Sequence, residues 1–183
     1  MLLKIPFMLT LGMASVSAVT AAASDMPHGV WPGFCCFTLA EAGTGTGGSS
    51  SNPMQFDDKG GYHGDAVLGV PDRETGWFCI NLSAENKVLF GDGDGACIVT
   101  GGGDDLRFTC LDPTPGFTQY ALVAGSDGRT MLSVDGSFDL KACPNTHGPA
   151  GERIYGRDKT GEGCRTVQFV TKDLAGTCQD FKG

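Results

Sequence analysis

Short apolar runs separated by glycine-rich punctuation dominate this chain. "CCFTL" from Cys35, "DAVLGV" from Asp65, "WFCINL" from Trp77, "KVLF" from Lys87 and "ACIVT" from Ala96 form the first half of the series. "LRFT" from Leu106, "YALVA" from Tyr120, "TMLSV" from Thr130, "FDLKA" from Phe138 and "TVQFV" from Thr166 form the second. Through the middle of the chain they recur about every 8 to 14 residues, the spacing of successive strands in an all-β domain. Several alternate. Phe138, Leu140 and Ala142 fall on one side, with Asp139 and Lys141 on the other, and Val167 and Phe169 oppose Thr166, Gln168 and Val170. Period-two patterning puts one face toward a core, and no stretch carries a helical stripe. The pattern predicts an all-β fold, an antiparallel β-sandwich or barrel stapled by disulfides.

Turn chemistry sharpens the prediction. "GSDGRT" and "SVDGSF" place Asp-Gly between strand-like runs, where glycine accepts the positive φ of a two-residue hairpin loop. Two hairpins are therefore expected to join Tyr120–Val123, Met131–Val134 and Phe138–Ala142 into a meander. The segment 42–53, "AGTGTGGSSSNP", is too small and polar to pack and reads as a long mobile loop whose Ser/Thr density suits O-linked sugar. "SDMPHGVW" is left without an assignment.

The first residues set the compartment. Lys4 precedes an apolar run from Ile5 through Val16, and Val16-Ser17-Ala18 offers a small-x-small cleavage site. Residues 1–18 read as a secretory signal peptide, with cleavage as late as residue 23. The apolar core is shorter than the roughly 20 residues a membrane span needs. What remains, 24–183, has the size of a single secreted domain, extracellular and without a membrane segment. Formal net charge is −8, and the basic residues are scattered, which argues against nucleic acid and anionic membrane as partners.

Eight cysteines, Cys35, Cys36, Cys79, Cys97, Cys110, Cys143, Cys164 and Cys178, all lie beyond the leader. An even number in an exported chain implies disulfides, with 105 possible pairings for eight. Adjacent residues of a strand point to opposite faces, so Cys35 and Cys36 are expected to tie their strand to different partners. Spacing favours Cys143 with Cys79 or Cys110, and Cys164 with Cys178. Paired Cys-x-x-Cys spacing is absent, which leaves neither a metal nor a redox reading for them.

Other chemistry is thin. Asp92 and Asp94 have the one-three spacing of a calcium loop, but Ala96 and Cys97 follow where further ligands would stand; Asp104 and Asp105 are similarly incomplete. They read as acidic turns. His28, His63 and His147 have no sequence link to a nucleophile, and G-x-S-x-G is missing. No catalytic residue, metal site or cofactor is predicted. Asn81 in "NLS" is an N-glycosylation acceptor, on a stretch that could lie inside a strand. Trp31, Trp77, Tyr62, Tyr120 and Tyr155 are candidates for a sugar-stacking surface or for buried amphipathic packing.

From Trp77 onward the order of pieces resembles a family: "WFCI", "GDGDGACIVT", "FTC", "PTPGF", "ACP", "IY", "GCRTV" and a last Cys178. The series is similar to the cysteine-containing C-terminal domain of fungal PIR-type cell-wall mannoproteins and their single-domain ascomycete relatives. The resemblance implies a secreted, glycosylated, non-enzymatic fungal wall component. Those proteins attach to glucan through a glutamine of an Asp-Gly-Gln unit, where this chain reads "VLGVPDRETGW". Non-covalent association with wall polysaccharide or other wall proteins is therefore expected rather than covalent anchorage. The alternative is a released effector or glycan-binding module; a small glycan hydrolase ranks behind both.

Overall fold

The computed structural model describes residues 30–43, 52–57, 64–91, 95–100, 106–111, 119–125, 128–146, 150–179 and 181. The leader, the body of the 42–53 loop, Asp92, Asp94, Asp104, Asp105, Tyr62 and the three histidines lie outside them.

Among the described residues every regular element is a strand. They are β1 (Cys35–Glu41), β2 (Met54–Asp57), β3 (Asp65–Leu68), β4 (Trp77–Ile80), β5 (Leu89–Phe90), β6 (Ala96–Thr100) and β7 (Arg107–Leu111). The second half adds β8 (Tyr120–Ala124), β9 (Thr130–Val134), β10 (Leu140–Pro144), β11 (Glu152–Tyr155), β12 (Arg165–Val167) and β13 (Phe169–Gly176). All belong to one antiparallel sheet ordered β12-β10-β11-β3-β7-β6-β5-β4-β1-β13-β9-β8, with β2 attached to β3. Between sandwich and barrel, the molecule takes the barrel side: one sheet curled into a half-barrel.

The curl follows from a single segment. β12 and β13 are separated only by Gln168, yet β12 pairs with β10 at one end of the strand order and β13 pairs with β1 near the other. Gln168 anchors the passage between them. Its carbonyl accepts from the Ala42 amide at 2.7 Å, and its side-chain Nε2 donates to Asp139 at 2.8 Å. The run read as one strand is therefore two, with the predicted alternation preserved: Val167 and Phe169 enter the main core, while Val170 packs outside with Ala40 and Met131.

β1 shows why these residues form a central strand. Cys35, Phe37 and Leu39 face the core, while Cys36 and Ala40 belong to small apolar clusters on the outer face. Phe37 lies in register with Phe78 of β4, their rings 6.2 Å apart and stacked, and Phe56 meets Phe78 at 5.2 Å. Burying each such ring contributes about 1.5–3 kcal/mol.

The two predicted hairpins part company. β8 and β9 pair along five residues each, as expected. At Asp135-Gly136 the local turn also forms: φ values of 51° and 69° and reciprocal Val134–Ser137 hydrogen bonds of 2.8 and 3.0 Å make a two-residue hairpin loop. The ladder then stops. β10 leaves to pair with β12 and β11, because Leu140 and Ala142 gain a place in the main core opposite Val167 and Ile154. The meander is thus corrected to one hairpin and one isolated turn. The ends of the 42–53 segment are likewise held, Ala42 by Gln168 and Pro53 by a bridge to Ala40.

Candidate functional site on the outer face of β4 and β1

The eight cysteines form four disulfides: Cys35–Cys178, Cys36–Cys79, Cys97–Cys110 and Cys143–Cys164. Cys35 and Cys36 do reach different partners from opposite faces of β1. The pairings expected from spacing do not occur. Topology decides them instead: Cys36 is the register partner of Cys79, and Cys97 that of Cys110, so each pair is already juxtaposed by its ladder. Cys143 on β10 meets Cys164 because β12 pairs with β10, and Cys178 reaches Cys35 because β13 pairs with β1.

The Cys36–Cys79 bridge lies on the outer side of the sheet and is the floor of an aromatic patch. Trp77, two residues before Cys79 and hence on the same face, is buried against it, with Trp31 and Phe34 packed on the cluster. The stretch "WPGF" explains how those two rings arrive. Pro32 presets its own φ, Gly33 takes φ of 82°, and the Phe34 amide donates to the Trp31 carbonyl at 3.0 Å, closing a turn of the Pro-Gly type. The turn sets Trp31 edge-on to Phe34 at 5.3 Å. Phe90, opposite Cys79 in the β4–β5 ladder, completes a trio at 5.4 Å from Trp31 and 6.0 Å from Phe34. All three rings are half-buried.

Asn81 lies beside this patch. It follows Ile80, the last residue of β4, and stands in a surface turn rather than inside a strand. Its Oδ1 accepts from the Ser83 amide at 3.0 Å and its carbonyl accepts from the Ala84 amide at 3.3 Å. Asn favours this first turn position because its side chain caps the amide two residues on. Cys35 pairs with Ile80, so the next step along the two segments sets Phe34 beside Asn81.

Tyr120 and Tyr155, the other predicted aromatics among the described residues, pack against neighbours. Tyr120 is buried beside Phe108 at 6.1 Å, and burial pushes its phenol above the ordinary tyrosine range. Tyr155 is half-buried on β11, with the Lys159 ammonium 5.1 Å above its ring. Phe34 and Phe90 were not singled out by sequence reasoning. Their signal is parity: each aligns with the outward cysteine of its strand pair.

Two groups of carboxylates are held by arginine across strands. Asp57, its side chain 3% exposed, lies 3.6 Å from Arg73 and 3.4 Å from Arg153; Asp65 lies 3.2 Å from Arg153 and 3.4 Å from Arg107. Arg165 of β12 forks to both Glu41 of β1 and Glu152 of β11, donating from Nε to Glu152 at 2.8 Å and from Nη2 to Glu41 at 3.1 Å. The hydrogen bonds to Glu152, then those to Glu41, raise the Arg165 pKa further above its ordinary value. These arrangements fasten strands separated by up to 124 residues. A cavity of about 160 Å³ opens where the Asp135 turn meets Arg157, floored by Val99, Leu106, Val134 and Leu140. Asp135 there pairs with Arg157 at 3.7 Å, and Asp139 accepts from Gln168. No group of three metal-ligating side chains occurs among the described residues.

No protein-family model matches the chain, and neither the curated proteins nor the solved structures contain a match to it.

Proposed function

We infer that this chain is a non-enzymatic structural or interaction protein of the fungal cell surface, secreted, glycosylated and held in the wall by non-covalent contacts. The observation that carries the reading is the covalent closure of the domain. Cys35–Cys178 ties the first strand to the end of the last, and three further bridges reinforce the β1–β4, β6–β7 and β10–β12 regions. Such bonding belongs to an oxidising, extracytoplasmic setting and suits a part whose task is to persist. The arginine-locked carboxylates of the Asp57–Asp65 and Glu41–Glu152 groups support the same reading, since their hydrogen-bonding capacity is directed at holding strands.

Fractionating the tagged protein from a filamentous fungal culture tests it. Recovery in a hot-detergent extract of walls is the expected result. Recovery only after mild alkali or glucanase would mean covalent anchorage, and recovery only in the medium would overturn wall residence.

A second reading, a released glycan-binding module, draws on the half-buried Trp31, Phe34 and Phe90. Capture on insoluble glucan or chitin, lost in Trp31→Ala, would move the assignment there.

A further inference from the structure

The aromatic trio and the Asn81 turn are separate features of one surface. Trp77 and Cys79 share the outer face of β4, and Asn81 follows in the turn directly beyond it, with Leu82 next to it packed on the main core. Phe34, just before β1, and Phe90, on β5, flank that line. The Oδ1 of Asn81 is engaged by the Ser83 amide, while its Nδ2 donates to none of the described residues and Ser83 is exposed. The turn thus presents the amide nitrogen of a sequon at the rim of three incompletely covered rings. Ring faces carry negative quadrupole density and attract the polarised C–H bonds of a sugar ring.

We propose that Asn81 carries an N-linked glycan whose first sugar rings lie against the Trp31–Phe34–Phe90 patch, making that patch an internal seat rather than a site for a separate polysaccharide. This deepens the secreted-glycoprotein reading and rests on it. In the attachment step, Asn81 Nδ2 forms a bond to the anomeric carbon of an oligosaccharide carried on a lipid pyrophosphate. The bond from that carbon to the phosphate oxygen breaks, the lipid pyrophosphate leaves with the electron pair, and Nδ2 gives up one proton. Nothing is oxidised or reduced.

The test uses two versions of the chain in a eukaryotic secretory host, one with its own leader and one with a proven leader replacing residues 1–23. Intact mass is read before and after a glycan-removing amidase. In the proven-leader version, secreted protein should lose a glycan mass and leave aspartate at position 81, and Asn81→Gln and Ser83→Ala should be secreted without that mass. Secreted protein bare at Asn81 overturns the modification. An own-leader chain that stays inside the cell overturns the secretory reading instead, with the other version still deciding the glycan. For the seat, amidase treatment should lower the thermal midpoint by a few degrees, and by less in Phe90→Ala or Trp31→Ala, with a change in Trp31 fluorescence. An equal drop in parent and variants overturns the seat. So does an unchanged midpoint with capture on insoluble glucan that Trp31→Ala abolishes, which would give the patch to an external sugar.

Discussion

The two ends of β1 are fastened by different physics. At its start, Cys35 and Cys36 are bonded covalently to Cys178 and Cys79 on opposite faces of the sheet. At its finish, Glu41 is held by Arg165, which also grips Glu152. The first fastening ignores salt and pH but yields to a reductant. The second ignores reductants, and its partly exposed members feel the ionic medium. Each end therefore protects the strand under the conditions that weaken the other.

The comparison can be broken most forcibly at the covalent end. Cys35–Cys178 encloses a separation of 143 residues and Cys97–Cys110 only 13. By chain entropy the double replacement Cys35→Ser with Cys178→Ser should cost about 5 kcal/mol, against about 3 kcal/mol for the short loop. At roughly 2–4 °C per kcal/mol for a domain of this size, calorimetry should separate the two clearly. An unchanged midpoint in excess reductant would count against the whole covalent account.

On the ionic side, burial should grade the effect. Arg153 touches Asp57, which is almost fully enclosed, so Arg153→Met should cost about 3 kcal/mol by leaving a buried carboxylate short of a partner. Denaturant midpoints would measure that, and high salt should do little to alter it. Arg165→Met, at a clasp 40% exposed on the arginine side, should cost about 1–2 kcal/mol, with much of the difference lost in molar salt. Equal salt dependence at the two sites would contradict the burial argument.

A smaller test uses pH. Burial raises the Tyr120 phenol pKa in the fold, so the folded state keeps its proton where the unfolded chain releases it. Stability is complete below the unfolded tyrosine value of about 10 and declines above it, by about 1.4 kcal/mol per pH unit. Tyr120→Phe should flatten that alkaline decline. Arg165 adds no slope through neutral pH, because its raised value lies above an unfolded value that is already strongly basic.

How much of this was legible in the sequence follows the range of each interaction. Strand positions such as Ala96–Thr100, Tyr120–Ala124 and Thr130–Val134 are written locally, as short apolar runs bounded by glycine-rich turns, and the structure places strands there. β2 escaped although Met-Gln-Phe-Asp alternates apolar with polar, because four residues beside a Gly/Ser-rich segment make too short a run to stand out, and its polar members Gln55 and Asp57 are buried as well. Gln55 bonds both ways to Val70 and also to the Arg73 carbonyl at 2.8 Å, satisfying its amide inside the protein. The partner of β10 and the disulfide pairs depend on which strands the curl brings together, and spacing along the chain carries no record of that. The Asn81 sequon is visible in three letters. Its aromatic neighbours depend on register between strands that begin at Cys35, Trp77 and Leu89.

The Cys35–Cys178 bond has a mechanical consequence. A pull applied outside these two cysteines runs from one sulfur to the other and bypasses all the chain between them, a sequence separation of 143. The strands would then carry no tension, and the oxidised domain would behave as a short inextensible link. In single-molecule extension, oxidised protein should release almost no hidden length; only reduction of that bond would let the half-barrel unravel.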